Sequence, residues 1–278
     1  METKANNNIL IIGSPNSGKT AFYGQLYGRM QLKMGVISWV RTPENIMAIQ
    51  NAYERLADGL EPQATPATEN LEIAIPIEWE GKELELVFKD YGGEQVKQIT
   101  DLLIYDKTWQ ERAKQNDRWV LFIRPSQIYH HYDLTITGYA KIDSADKQEE
   151  PHKELSNQYT FIELIQALLH ARGIGIKTDL QAPKLVIVLT CWDELKTENN
   201  PKEVLQQKVP LFQQFIETLW SSDSYTVMGL SAQEFSLDNE EAKQKYIDNL
   251  PESFGFVVYE TNEQDRDLTK LIETTLKL

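Results

Sequence analysis

The chain has 278 residues, and its hydrophobic fraction of 41% and charged fraction of 25% are ordinary for a globular protein with a full core. Its formal net charge of −14 disfavours nucleic acid or an anionic membrane as the main partner. Cys191 is the only cysteine, which excludes an intramolecular disulfide. The polar N-terminus lacks a signal pattern and no apolar run is long enough to span a membrane, so we expect a cytoplasmic protein.

The first predicted element is a strand over 8–12, formed by an apolar run that ends at a glycine-rich loop. The loop, Gly13-Ser14-Pro15-Asn16-Ser17-Gly18-Lys19-Thr20, has the spacing G-x-x-x-x-G-K-[ST], and a helical stretch runs from Ala21 to Met30. In such a loop the backbone N–H groups point at phosphate, the lysine reaches the β- and γ-phosphates, and the threonine hydroxyl binds Mg²⁺. We therefore predict that 13–21 bind a nucleoside triphosphate, with Lys19 on the phosphates and Thr20 on the metal.

The stretch 35–70 is broken by prolines and glycines, with a helix expected over 44–56. Strands are then predicted over 71–79 and 82–89, and their spacing indicates a hairpin. The second strand ends at Asp90-Tyr91-Gly92-Gly93. There the Asp90 carboxylate can hold a water on Mg²⁺ and the Gly93 N–H can bind the γ-phosphate, although this sequence is also typical of an ordinary turn.

A helix is expected over 94–105 and a strand over 119–123, followed by a polar stretch that we assign as an insertion at about 126–156. This insertion contains His130, His131 and His152, which are either metal ligands or plain loop histidines. Its aromatic residues either bind a partner or form a small core of their own.

A helix over 157–171 precedes a buried strand over 184–190, which ends at Thr190-Cys191-Trp192-Asp193. This is the place of a guanine-reading motif [NT]-K-x-D, in which the carboxylate accepts from the N1–H and 2-amino groups of guanine. We therefore predict that Thr190, Cys191 and Asp193 contact the base. The alternative is a turn in which Asp193 caps the next segment.

The last predicted elements are a helix over 204–220, a strand over 226–230 and a closing helix over 267–276. Pro210 is expected to kink or split the first of these helices. Ser231 and Ala232 follow the strand and resemble an S-A-x loop whose backbone contacts the guanine ring.

The alternation of strands and helices predicts an α/β fold, with one antiparallel edge strand on a mostly parallel sheet and helices on both faces. We expect a single domain over 1–278, interrupted by the insertion. In their order, the four motifs resemble the Ras-like, translation-factor-related class of P-loop GTPases. The resemblance implies GTP and GDP as ligands, Mg²⁺ as cofactor and a switch threonine over the metal. That threonine is Thr65 or Thr68, and the spacing G-x-x-P-x-x-T favours Thr65.

Three further features resemble the prokaryotic double-GTPase family of conflict systems. They are Gly59-Leu60-Glu61-Pro62-Gln63-Ala64-Thr65, the Glu94 that directly follows Gly93, and Phe254-Gly255-Phe256-Val257-Val258 with Asp267-Leu268-Thr269. The resemblance implies a paired GTPase or another protein effector as partner, and a role in signalling or defence.

Two positions depart from the class and affect the expected activity. Cys191 stands where the base-reading motif has a lysine, and Glu94 stands where a glutamine orients the attacking water. Because a carboxylate repels phosphate charge, we predict slow hydrolysis. Asn16 either helps to bind K⁺ beside the phosphates or hydrogen-bonds within its own loop. Arg41 is an arginine-finger candidate or a surface charge.

We therefore expect a Mg²⁺-dependent GTPase with Lys19, Thr65, Gly93 and Glu94 as catalytic residues and Thr20, Thr65 and Asp90 at the metal. The open alternatives are a GTP-gated binding module with little hydrolysis and an ATP-binding protein of the same fold.

Overall fold

A computed structural model describes residues 8–43, 46–63, 71–90, 107–128 and 156–278, without the side chains of residues 48, 71, 72 and 88–90. Within these ranges the strands are β1 (Asn8–Gly13), β2 (Ser38–Trp39), β3 (Leu71–Trp79), β4 (Lys82–Asp90), β5 (Arg118–Ile123), β6 (Lys184–Thr190), β7 (Tyr225–Ser231), β8 (Phe256–Val258) and β9 (Gln264–Asp265). The helices are α1 (Lys19–Gln31), α2 (Met47–Ala57), α3 (Lys107–Gln115), α4 (Asn157–Arg172), α5 (Pro201–Lys208), α6 (Pro210–Leu219), α7 (Glu240–Asn249) and α8 (Thr269–Lys277).

The described strands form one nine-stranded sheet in the order β2-β3-β4-β1-β5-β6-β7-β8-β9. Its centre, from β4 to β7, is parallel, as the continuous apolar runs of β1, β5 and β6 predict. The register pairs Gly13 with Phe122, Ile123 with Leu189, and Thr190 with Leu230. The carboxyl ends of β1, β5, β6 and β7 therefore lie side by side at one edge.

Antiparallel strands flank this centre on both sides. The predicted hairpin of β3 and β4 is confirmed, and β2 adds to its outer side. On the far side, β8 runs antiparallel to β7 and β9 antiparallel to β8. The sheet therefore has more antiparallel pairings than the single edge strand that the sequence predicts. The additional strands β2, β8 and β9 have only two or three residues each, which is too short to show an alternating pattern in the sequence.

Both faces of the sheet are covered, which confirms the expected three-layer α/β arrangement. Alternate residues of β1 serve opposite layers: Leu10 and Ile12 pack in a core with the helices α3 to α6, and Ile9 and Ile11 pack in another core with α1 and α8. A smaller cluster joins α2 to α7 around Tyr246.

The predicted helix over 204–220 is two helices. Asn200 and Glu203 form a capping box at the start of α5, and Val209, with φ −142°, separates it from α6. Pro210 occupies the first turn of α6, where its missing N–H leaves no hydrogen bond unmade. The proline thus splits the helix, as the sequence predicts.

A buried cation lies at the end of α1. Arg29 is 2% exposed, and its guanidinium donates to the Gln25 side chain and to the carbonyl oxygens of Phe254 and Arg266. Burial lowers the pKa of Arg29 to about 10, against the opposing effect of nearby Asp267. The last turn of α1 is therefore bound to chain segments more than two hundred residues away.

Asp267 makes a second long-range connection. One of its carboxylate oxygens accepts from the Val36 N–H at 2.8 Å, and the other accepts from the Thr269 N–H at 2.9 Å. The Asp267-Leu268-Thr269 sequence thus starts α8 and also fixes the segment that follows α1.

Several predictions fall outside the described residues. They are the helix over 94–105 and all of the insertion except residues 126–128 and 156. None of the helices in the described ranges is both long enough and apolar enough to cross a bilayer.

Candidate functional site

The glycine-rich loop connects β1 to α1 at the carboxyl edge of the sheet. Gly18, at φ 83°, occupies the left-handed region just before the helix, and Asn16 shares that region at φ 59°. At Gly13 a Cβ would lie 2.6 Å from Ser17 Oγ and 2.9 Å from Phe122 Cβ, so the loop packs onto β5 without space for a side chain. The sequence therefore folds locally into a tight loop whose chain enters a 13-residue helix at its N-terminus.

Lys19 is oriented back over this loop. Its side chain is 8% exposed, and Nζ donates to the Gly13 carbonyl at 2.7 Å and approaches Ser14 O and Ser17 Oγ at 3.4 Å. Thr20, in the first turn of α1, is half-buried. A positive charge beside backbone N–H groups at a helix N-terminus fits a phosphate anion, so the donor set suits the predicted ligand.

The end of β6, which lies beyond β5 in the sheet, also packs against the loop. Thr190 is 1% exposed, and its hydroxyl donates to the Ile123 carbonyl at 3.1 Å. Its Cβ lies 3.6 Å from the position that a Cβ on Gly18 would take. The Thr190 side chain thus packs under the phosphate loop, with its hydroxyl bonded into the sheet.

Cys191 begins the turn that follows β6, with a left-handed φ of 50°. Burial raises the pKa of its thiol to about 12, with Glu194 and Asp193 adding to the shift and Arg124 opposing it. The thiol is therefore neutral near pH 7 and supplies no charge at the position where the motif has a lysine.

Asp193 lies in the short 3₁₀ turn Trp192–Glu194 and is hydrogen-bonded to Ser231, the last residue of β7. The buried Ser231 hydroxyl donates to Asp193 Oδ1, and Ser231 Oγ accepts from the Glu234 N–H at 2.9 Å. Ala232 comes next in the chain and is half-buried. The two segments predicted to contact the base are thus joined by a direct hydrogen bond.

Arg124 connects these two regions, and no motif in the sequence includes it. Nε donates to Glu194 Oε2 at 3.2 Å, Nη2 donates to Glu194 Oε1, and Nη1 donates to the Asn16 carbonyl at 3.4 Å. The Ser126 hydroxyl also donates to Glu194. Burial tends to raise the pKa of Glu194, but the hydrogen bonds from Arg124 and Ser126 outweigh it, and the pKa lies below its ordinary value.

A cleft opens beside this arrangement, between the loop and α4. Ser14, Pro15 and Ser17 line one side, and Phe122, Arg124 and Asn157 are among the residues that line the rest. The phosphate loop, the turn that follows β6 and the cleft therefore share one edge of the sheet.

The structure brings together the predicted residues on the ends of β1, β6 and β7. Thr65, Thr68, Gly93, Glu94 and the three insertion histidines lie outside the described residues, as does the Asp90 side chain, although β4 ends at that residue. Their roles stay predictions. Across the described ranges, no group of three or more His, Cys, Asp or Glu side chains is arranged to bind a metal. Arg41 is exposed after β2.

The chain matches one family model and is distantly similar to a number of solved structures, among them two GDP-bound proteins. The family described as Double-GTPase 1 matches residues 10–275. No curated protein matches the chain. Among solved structures, GDP-bound Roco2 RocCORdC from Methanosarcina barkeri is 13% identical with a TM-score of 0.34, over 88% of this chain and 48% of that one. Sup35 complexed with GDP is 14% identical with a TM-score of 0.36, over 81% of this chain and 36% of that one. The chain thus spans less than half the length of either protein.

Proposed function

Since the chain belongs to the Double-GTPase 1 family, we propose that it binds GTP and GDP with Mg²⁺, hydrolyses GTP slowly and reports its nucleotide state to a protein partner. The observation that carries this proposal is the hydrogen bond between Ser231 and Asp193, on the same sheet edge as the phosphate loop. A base-reading carboxylate after β6 and a phosphate-binding loop after β1, at the same edge of the sheet, suit a nucleotide that lies across the ends of β1, β6 and β7.

The phosphate loop binds the phosphates. Backbone N–H groups of 13–18 and the N-terminus of α1 donate to oxygen, and Lys19 neutralises the charge that develops there. Thr20, Thr65 and Asp90 would hold Mg²⁺, which supplies further positive charge beside the β- and γ-phosphates. Gly93 would donate its N–H to the γ-phosphate.

Asp193 provides base selectivity. Its carboxylate accepts two hydrogen bonds from guanine, whereas adenine presents no such pair of donors. Ser231 donates to Oδ1 and thereby orients the carboxylate, and a wrong base would leave the charge unpaired.

Glu94 is the residue on which the expected rate of GTP hydrolysis depends. In the position of the water-orienting residue, a carboxylate accepts a hydrogen bond from water but cannot donate one to phosphate, so we expect slow turnover unless a partner adds a catalytic group. This residue also favours the second candidate, a GTP-gated binding module with little hydrolysis. Cys191 is the feature that favours an ATP-binding protein.

A competition titration tests the nucleotide. Purified protein with bound fluorescent GDP and Mg²⁺ is titrated with GTP, GDP and ATP, and we expect displacement by the guanine nucleotides at far lower concentration than by ATP. Equal displacement by ATP would contradict guanine selectivity. Single-turnover GTP hydrolysis, measured on the same preparation, separates a slow enzyme from a binding module. We further propose a cytoplasmic location and a paired GTPase or other protein effector as the partner.

A further inference from the structure

Arg124 contacts both the phosphate loop, at Asn16, and the turn that follows β6, at Glu194. It directly follows β5, whose neighbours are β1 on one side and β6 on the other. Its side chain is 27% exposed, so water partly screens its charge. A side chain in this place can contact the loops at the ends of both neighbouring strands.

The three nitrogens of the Arg124 guanidinium contact both loops. Nε and Nη2 donate to the two carboxylate oxygens of Glu194, and Nη1 donates to the Asn16 carbonyl. A bidentate Arg–carboxylate pair fixes direction as well as distance. The arginine therefore joins the phosphate loop to the residue next to Asp193.

The turn that carries Glu194 is rigidly built. The Glu194 N–H donates to the Cys191 carbonyl at 3.0 Å, and Trp192 is 5% exposed in the core. Displacing Glu194 would consequently displace Asp193, which lies between two fixed neighbours.

The base-reading motif calls for a cation at position 191, and this chain has a neutral thiol there. Arg124 interacts electrostatically with the Asp193 carboxylate. We infer that Arg124 supplies, from the adjacent strand, the cation that the motif lacks at Cys191, and that it positions Asp193 for guanine by tying the turn through Glu194 to the phosphate loop at Asn16. This inference rests on the proposed guanine-nucleotide function.

Arg124 acts here as a positioning residue. Each of its three nitrogens donates to a protein acceptor on one of the two loops. Its effect on the nucleotide therefore passes through Glu194 and Asn16, and it should alter base selectivity rather than the chemical step.

The test compares affinities for GDP and ADP in the wild type, Arg124→Gln, Glu194→Gln and the double variant. We expect each single variant to bind GDP about three- to tenfold more weakly while ADP changes little, and the double variant to be no weaker than the weaker single one, because both break one bridge. Adding Cys191→Lys to Arg124→Gln should recover GDP affinity. Arg172→Gln is the control, since Arg172 makes a similar pair with Asp117 at the opposite edge of the sheet.

Hydrogen exchange of the nucleotide-free proteins measures directly whether Arg124 joins Glu194 to Asn16. Segments 13–18 and 191–195 should exchange faster in Arg124→Gln and Glu194→Gln than in the wild type or in Arg172→Gln. Unchanged GDP-over-ADP selectivity in Arg124→Gln, with a wild type that prefers GDP, overturns the inference alone. A wild type without guanine preference refutes the proposed function. In that case faster exchange would leave Arg124 as a structural bridge, which also overturns its role toward the base.

Discussion

Replacing Asp193 by Asn gives the sharpest test of the proposal that the turn after β6 reads the base. The amide oxygen still accepts from the Ser231 hydroxyl, so the turn should retain its conformation. Towards guanine, however, the side chain loses its charge and exchanges one acceptor for a donor. The N1–H and 2-amino groups of guanine then have one suitable acceptor fewer.

The expected magnitude is set by those contacts. A hydrogen bond to a charged group contributes about 1.5–3 kcal/mol, and a donor left unpaired adds to the loss. Because Asp193 is only half-buried, we expect the two effects together to cost about 2–3 kcal/mol, or roughly 30- to 160-fold in GTP affinity. Xanthosine triphosphate presents a carbonyl in place of the 2-amino group, so the new amide donor should favour it.

The assay is displacement of fluorescent GDP by GTP and by xanthosine triphosphate, for the wild type, Asp193→Asn and Asp193→Ala. Asp193→Ala is the control, because it removes the acceptors without adding a donor and should weaken GTP with no gain for xanthosine triphosphate. If the ratio of the two affinities is the same in the wild type and in Asp193→Asn, Asp193 does not read the base.

Further predictions concern the phosphates, the rate and the fold. Lys19→Ala should weaken GTP binding at least tenfold with an unchanged circular dichroism spectrum, because a charge-assisted contact to phosphate is lost; equal affinity in a titration would refute the phosphate-loop assignment. Glu94→Gln should change the single-turnover rate more than GTP affinity, and an unchanged rate would remove this side chain from catalysis. If Asn16 helps to bind K⁺, turnover should be faster in K⁺ than in Na⁺ at matched ionic strength and Asn16→Ala should abolish the difference; equal wild-type rates in both salts would exclude potassium activation. Arg29→Ala should lower the free energy of unfolding by about 2–4 kcal/mol in urea titration, since it leaves the Phe254 carbonyl without this donor and opens a cavity. A loss below about 0.5 kcal/mol, the usual range for surface substitutions, would contradict that reasoning.

The central strands could be predicted nearly to the residue because their sequence signals are local. The strand β6 has the predicted bounds, one residue beyond its apolar run at each end, and β3 and β4 show the expected hairpin. In contrast, α7 has only Ala242 and Tyr246 buried, so its sequence carries almost no apolar period and does not predict the helix. Its burial depends on the cluster with α2, which only the tertiary structure provides.

The candidate site also has residues that the sequence predicts and one that only the structure identifies. The loop 13–21 and the turn at Asp193 have characteristic spacings, so their placement at one sheet edge was predictable once the strand order was known. Arg124 has no motif, and its importance depends on β5 lying between β1 and β6. The only sequence signal for Arg124 was a charged residue directly after a buried strand. That signal indicates a functional position only when the strands on both sides of β5 are known.

The buried Arg29 has a consequence for synthesis on the ribosome. The carbonyl acceptors that compensate its charge belong to Phe254 and Arg266, while Arg29 itself is part of the helix that starts at the phosphate loop. A nascent chain that has emerged only as far as β7 must keep this guanidinium in water, because a buried charge without partners is strongly unfavourable. The helix α1 can therefore dock in its final position only after residues 254–266 have been translated, and a nascent chain arrested before Phe254 should bind nucleotide weakly.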